Sequence, residues 1–181
     1  MAHKNQKKYN FIIIIAAILA LSFIGFLFLP YFRVYNDQTK QLSYSIRGTT
    51  IALGSSSNGA VIKGSNVILV GQIIGSFGGL LTLLFMIMYL IKKDHKPIMY
   101  LFLGLSVLCI AFQIATILLS GPIYQSVNEI KNKTLIYSVW YYFTLVISII
   151  SFLLNLFIIF YASFSDFKSK NVSHVEKKDI T

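Results

Sequence analysis

The sequence predicts an all-α membrane protein, an antiparallel four-helix transmembrane bundle with a small extracytoplasmic β-hairpin or sheet in its first outer loop. Three observations carry that expectation. The 181 residues are 56% hydrophobic and 12% charged, with a mean hydropathy of +0.71, whereas a soluble domain has roughly 25% charged residues. Four apolar stretches, at about 11–30, 66–91, 98–120 and 136–163, are each long enough to cross a ~30 Å hydrocarbon layer as a helix. Between the first two lies a polar connection, 31–65, with the period of a strand. The chain therefore reads as a single membrane domain, 1–181, closed by a basic tail at 164–181.

The first stretch follows Lys4, Lys7 and Lys8 and runs without a charge from Phe11 to Pro30. A signal peptide has an apolar region of about 7 to 15 residues ending at a small-x-small site. This run is longer and ends in Phe28-Leu29-Pro30-Tyr31, so it is expected to remain as an uncleaved first span.

In the outer loop, Leu42, Tyr44 and Ile46 alternate with Gln41, Ser43, Ser45 and Arg47, the pattern of a half-buried strand. Phe32–Tyr35 is its expected partner, across a turn at Asn36-Asp37-Gln38-Thr39, where Asx side chains bond their own backbone. A weaker strand pair is expected at Thr49–Leu53 and Ala60–Lys63, around a tip at Gly54–Gly59. An isolated hairpin is marginal in water. The Leu42/Tyr44/Ile46 face is therefore expected to rest on the helix ends.

Ser65 or Asn66 is placed to cap the second span. Gly71, Gly75 and Gly79 repeat within it every four residues, a spacing that clears one helix face for backbone-close packing in lipid. These three are the candidate helix-packing residues. A charged turn, Lys92 to Lys96, leads to Pro97 in the first turn of the third helix, which Gly121-Pro122 is expected to stop after Ser120. Residues 123–134 read as a polar connection, and the fourth span exceeds what a bilayer needs, so it is expected to tilt or project.

Lysine position sets the orientation. The amino tail, the turn at 92–96 and the carboxyl tail (Lys168, Lys170, Lys177, Lys178) fall on one side of four spans, close to the span ends, which marks that side as cytoplasmic. Both termini are thus expected inside, in the cell membrane. The net charge of +10 flanks spans and reads as orientation signal and anionic-lipid contact, with no nucleic-acid partner.

Catalytic patterns are missing: His3, His95 and His174 lie in separate segments, and there is neither a phosphate-binding loop nor a nucleophile elbow. No cofactor, metal site or enzyme activity is expected. Cys109 is alone, so no intramolecular disulfide forms. None of the six acidic residues lies in a span. The candidate intramembrane polar residues are the amides Gln72, Gln113 and Asn155, the last sharing a helix face with Ser148 and Ser151. Folding spans two and three about their turn places Gln113 level with Ser76 and Gln72 a turn further out, within reach of a mutual hydrogen bond.

Four spans, inside tails, a strand-bearing first outer segment and a short inner turn together resemble the claudin and peripheral-myelin-protein group. The likeness covers the whole chain as topology. The group's Trp, Gly-Leu-Trp and paired-Cys signature has no counterpart in residues 31–65, and the only Trp is Trp140. The expected function is that of a polytopic, non-catalytic scaffold, accessory or interaction protein. Its partners would be the lipid bilayer and other membrane proteins or itself. The alternative is a small transporter or channel component.

Overall fold

The computed structural model describes residues 10–19, 22, 25, 28–57, 60–91, 96–128 and 133–178. The order is α1 (Asn10–Leu19), β1 (Pro30–Asn36), β2 (Leu42–Arg47), α2 (Gly48–Leu53), β3 (Ser55–Ser57), β4 (Ala60–Ile62), α3 (Asn66–Leu90), α4 (Lys96–Val127), β5 (Lys133–Tyr137) and α5 (Val139–Lys178). Helix dominates, and three helices are long and apolar enough to cross a membrane: Asn66–Leu90, Pro97–Val127 and Val139–Tyr161. The expected first span is helical over Asn10–Leu19. Lys4, Lys7, Lys8, Lys92 and Lys93, along with most of 20–27, lie outside the described residues.

The expected hairpin forms as the residue types dictate. Asn36 Oδ1 accepts from the backbone N–H of Gln38 (2.8 Å) and Thr39 (3.3 Å), and β1 pairs antiparallel with β2 in a register that sets Arg33 opposite Ser45. Ile46 is buried, Tyr44 half-buried and Leu42 exposed, so the predicted face is covered only at the end nearest the helices. The turn closes through Lys40, whose φ is 56°. A left-handed backbone is costly for a side chain with a Cβ. Lys40→Gly is therefore expected to raise stability by about 0.5–1 kcal/mol, readable as a higher Tm.

Four expectations are corrected. Residues Thr49–Leu53 are helical, within α2, and the second hairpin instead pairs β3 with β4. The helix places Ile51 and Ala52 in the core with Ile68. Helix α4 does not stop at Ser120 but continues to Val127 with Pro122 inside it. Gly121 serves clearance rather than termination, since a Cβ there would strike the Tyr137 ring and hydroxyl. Proline removes one helical bond, the one to Leu118, whose side chain is exposed. The connection before α5 contains β5, and the fourth helix begins at Val139 rather than near 136. Its backbone stays helical to Lys178 through most of the basic tail.

Strand β5 joins the other edge of β1, giving the order β2-β1-β5 with Arg33 opposite Ile136. The inner face of this sheet (Tyr31, Phe32, Val34, Ile46) packs on Ile117, Tyr124 and Tyr141 of the helix ends. Phe32 lies within ring-contact range of Tyr124, Tyr137 and Tyr141, with centroids 5.2 to 6.1 Å apart. Asn128 ties the loop before α3 to the end of α4, accepting from Lys63 N (2.7 Å) and donating to Lys63 O (3.0 Å). At the opposite end, Ile13 and Ala16 of α1 pack with Phe85, Leu103 and Ile158.

Candidate functional site

Within the bundle the buried positions recur at alternating three- and four-residue steps. On α3 the run is Ile68, Gly71, Gly75, Gly78, Thr82 and Phe85, flanked by Gln72, Gly79 and Leu81, which are buried too. On α4 the run is Leu103, Ser106, Ile110, Gln113, Ile117 and Ser120, and on α5 it is Tyr141, Thr144, Ser148, Ser151, Asn155 and Ile158. A mean step of 3.5 is the spacing of left-handed helix packing, whereas glycine every fourth residue suits right-handed crossings. Gly71 and Gly75 thus sit where the sequence placed them, facing α4, and Gly78 joins them there. Gly79 is buried as well.

Each glycine admits a named side chain. Gly71 receives Thr116, Gly75 receives Gln113, and Gly78 receives Cys109 with the Ser106 carbonyl. As α3 numbers rise α4 numbers fall, so the pair is antiparallel. Close approach lets short hydroxyls meet across it: Thr82 Oγ1 and Ser106 Oγ are 2.5 Å apart. Asn155 of α5 donates from Nδ2 to both, at 3.0 Å to Thr82 and 2.9 Å to Ser106. One amide thereby joins three helices, and all three side chains are 1% exposed or less.

The other two predicted amides do not bond each other. Gln72 Nε2 donates to the Gly48 carbonyl at 2.9 Å, which ties the start of α2 to the face of α3. Gln113 lies against Gly75 and keeps Oε1 without a partner. Ser151 Oγ and Asn155 Oδ1 are likewise buried and unpartnered. A void of about 10 Å³, measured as room for the centre of a water molecule, is lined by Tyr31, Gln72, Gln113, Thr116 and Ser120, among others. That is the size needed for one water.

The result is a neutral polar seam, running from Ser120 and Thr144 to Asn155, between two apolar plugs. The outer plug is the Tyr31/Phe32/Tyr124/Tyr141 cluster, and the inner is Phe85, Leu103, Ile158, Ile13 and Ala16. Such hydroxyls and amides hydrogen-bond and orient water, but none titrates near neutral pH. Thr116, Thr144 and Ser148 donate to carbonyls four residues back in their own helices, leaving lone pairs facing the seam. Sequence reasoning passed over Thr82, Ser106, Thr116, Ser120 and Thr144. The available signal was periodic, since Ser106, Gln113 and Ser120 recur every seven residues.

At the outer plug, burial pushes the Tyr31 phenol up to about 12, outweighing a hydrogen bond with Thr144 that lowers it. The folded state therefore holds this proton after the unfolded chain, with its ordinary value of 10.0, has released it. The sign follows: the contribution is complete below pH 10 and disappears as pH rises toward 12, about 3 kcal/mol in all. Tyr31→Phe is expected to flatten this alkaline limb of an unfolding titration.

No protein-family model, no curated protein and no solved structure matches the chain.

Proposed function

We propose that the protein is a four-span integral membrane protein of the cell membrane, with α1 as its first span and both termini cytoplasmic. It acts without catalysis, as a scaffold or accessory subunit. The observation that carries this reading is inverted polarity. The described spans contain no charged residue. Their buried seam is glycine, hydroxyl and amide, while Ile73, Phe77, Leu108, Leu153 and Phe160 point outward, from 56% exposed at Phe77 to 71% at Phe160. Water would expel such a surface; lipid accepts it. The sheet that joins the two loops, β2-β1-β5, offers a platform for recognition. The topological likeness to the claudin and peripheral-myelin-protein group belongs to the same proposal.

Cysteines introduced at Ser57 and His95 are expected to react with an impermeant reagent from opposite sides of the membrane. Labelling of both from one side overturns the span count. Cross-linking in native membranes, followed by mass spectrometry, is expected to recover a membrane protein, or a second copy, joined through the outer sheet or a helix surface.

A second reading, a pathway for a small neutral solute or water, is favoured by the unpartnered oxygens of Gln113, Ser151 and Asn155 along one seam. Flux into liposomes holding only this protein, lost on Gln113→Leu, would establish it. The two apolar plugs argue for no flux.

A further inference from the structure

A groove of about 400 Å³ opens sideways between α2 and the outer part of α3, walled by Leu53, Leu69, Ile73, Phe77 and Leu80, with Thr49, Gln72 and Ser76 among its lining. Its length follows one α3 face, from Leu69 to Leu80. Recognition pockets for small ligands have volumes of roughly 300–1,000 Å³ and are mostly apolar with few polar groups. Its open side is the side on which the helices present leucine and phenylalanine outward.

The head of the groove is basic. Arg47 ends β2 immediately before α2, whose Thr49 and Leu53 line the groove. Arg33, opposite Ser45 on the exposed sheet face, adds positive charge to the same segment. Both arginines are exposed. Asp37, the one described carboxylate of the outer segments, is at the far end of the hairpin, accepting from Thr134 Oγ1 at 2.5 Å. Charge complementarity thus calls for an anion beside the groove, and the groove calls for a hydrocarbon chain.

We infer that this site holds an anionic phospholipid of the outer leaflet, its phosphate at Arg47 and one acyl chain along Leu69, Ile73, Phe77 and Leu80. Guanidinium groups match phosphate oxygens in paired hydrogen bonds. The inference rests on the membrane-spanning reading with the sheet outside.

The full chain is reconstituted in nanodiscs of phosphatidylcholine and phosphatidylglycerol in equal parts, extracted in mild detergent, and its retained lipid quantified by mass spectrometry. Phosphatidylglycerol is expected to be enriched about fivefold over the bulk, the factor one near-surface cationic contact supplies. Arg47→Gln is expected to return the ratio to bulk, and Ser76→Phe, which fills the groove, to reduce total retained lipid. Lys40→Gln, in the turn at the opposite end of the hairpin from Arg47, is expected to change neither. Retention at bulk ratio by the unaltered protein overturns the inference, as does a Ser76→Phe variant that keeps its lipid but changes oligomeric state, which would make the groove an interface between copies. Melting curves of each variant identify misfolding, and Arg47→Lys, which keeps the charge but not the paired donors, is expected to retain more enrichment than Arg47→Gln and less than the unaltered protein. One-sided labelling of cysteines at Ser57 and His95 would remove the spanning reading and the inference together; lost enrichment with two-sided labelling removes the inference alone.

Discussion

Gly71→Leu is expected to cost more than about 3 kcal/mol and to leave little folded protein. Overpacking a tight interface by even a few methylenes costs about 1–3 kcal/mol, and here the neighbour cannot yield. A Cβ at position 71 would stand 2.6 Å from Thr116 Cβ, and Thr116 is held by its 2.9 Å bond to the Phe112 carbonyl. The helices would have to part, pulling Thr82 from Ser106 three turns away. Gly75→Leu is expected to act in the same direction, but Gly75→Ala is expected to be milder, because Gln113 is long and can turn aside. Val70→Leu, on the exposed side of α3, serves as control. Tm in detergent distinguishes these cases, and an unchanged Tm for Gly71→Leu would mean that this face is not packed against α4.

Asn155→Asp is expected to be nearly as damaging at neutral pH, by about 3 kcal/mol, the scale on which a buried carboxylate is penalised in a membrane helix. The substitution replaces the donor that Thr82 and Ser106 share with a charge in a site of 0% exposure. The penalty attaches to the charged form, and an unfolded carboxyl ionises near pH 4. Stability is therefore complete below about pH 4 and falls as pH rises above it. Asn155→Leu is expected to lose only about 1–2 kcal/mol, with no such pH dependence. Unfolding followed from pH 4 to 8 separates the two; a flat profile for Asn155→Asp would show that water reaches the site.

What the sequence made legible was what local chemistry controls. Asn36 announces its turn because its side chain caps its own backbone, and β2 announces its inward face through strict alternation. The spans are visible because lipid demands length and apolarity whatever the neighbours. The losses have a common cause, which is that the deciding partner lies elsewhere in the chain. Gly121-Pro122 carries the local signature of a helix end, yet Gly121 is spent on making room for Tyr137. Lys133–Tyr137 merges with the apolar run of α5, with no Gly or Pro between them, and becomes a strand only because β1 offers an unpaired edge. Thr49–Leu53 has strand-forming residues but folds as a helix over Gln72. The glycine row marked the right stretch and left its register open, since adjacent Gly78 and Gly79 satisfy steps of three or four alike.

The central strand β1 lies near the start of the chain and takes its second partner, β5, from more than half the chain later. During synthesis the hairpin can therefore form early, but one edge of β1 waits until α4 has been made and β5 reaches it. A nascent chain halted before β5 would present open backbone donors and acceptors along that edge of β1. Completion of the sheet is in this way a report that the chain has been made and folded past α4, available to any quality-control system that senses unpaired strands.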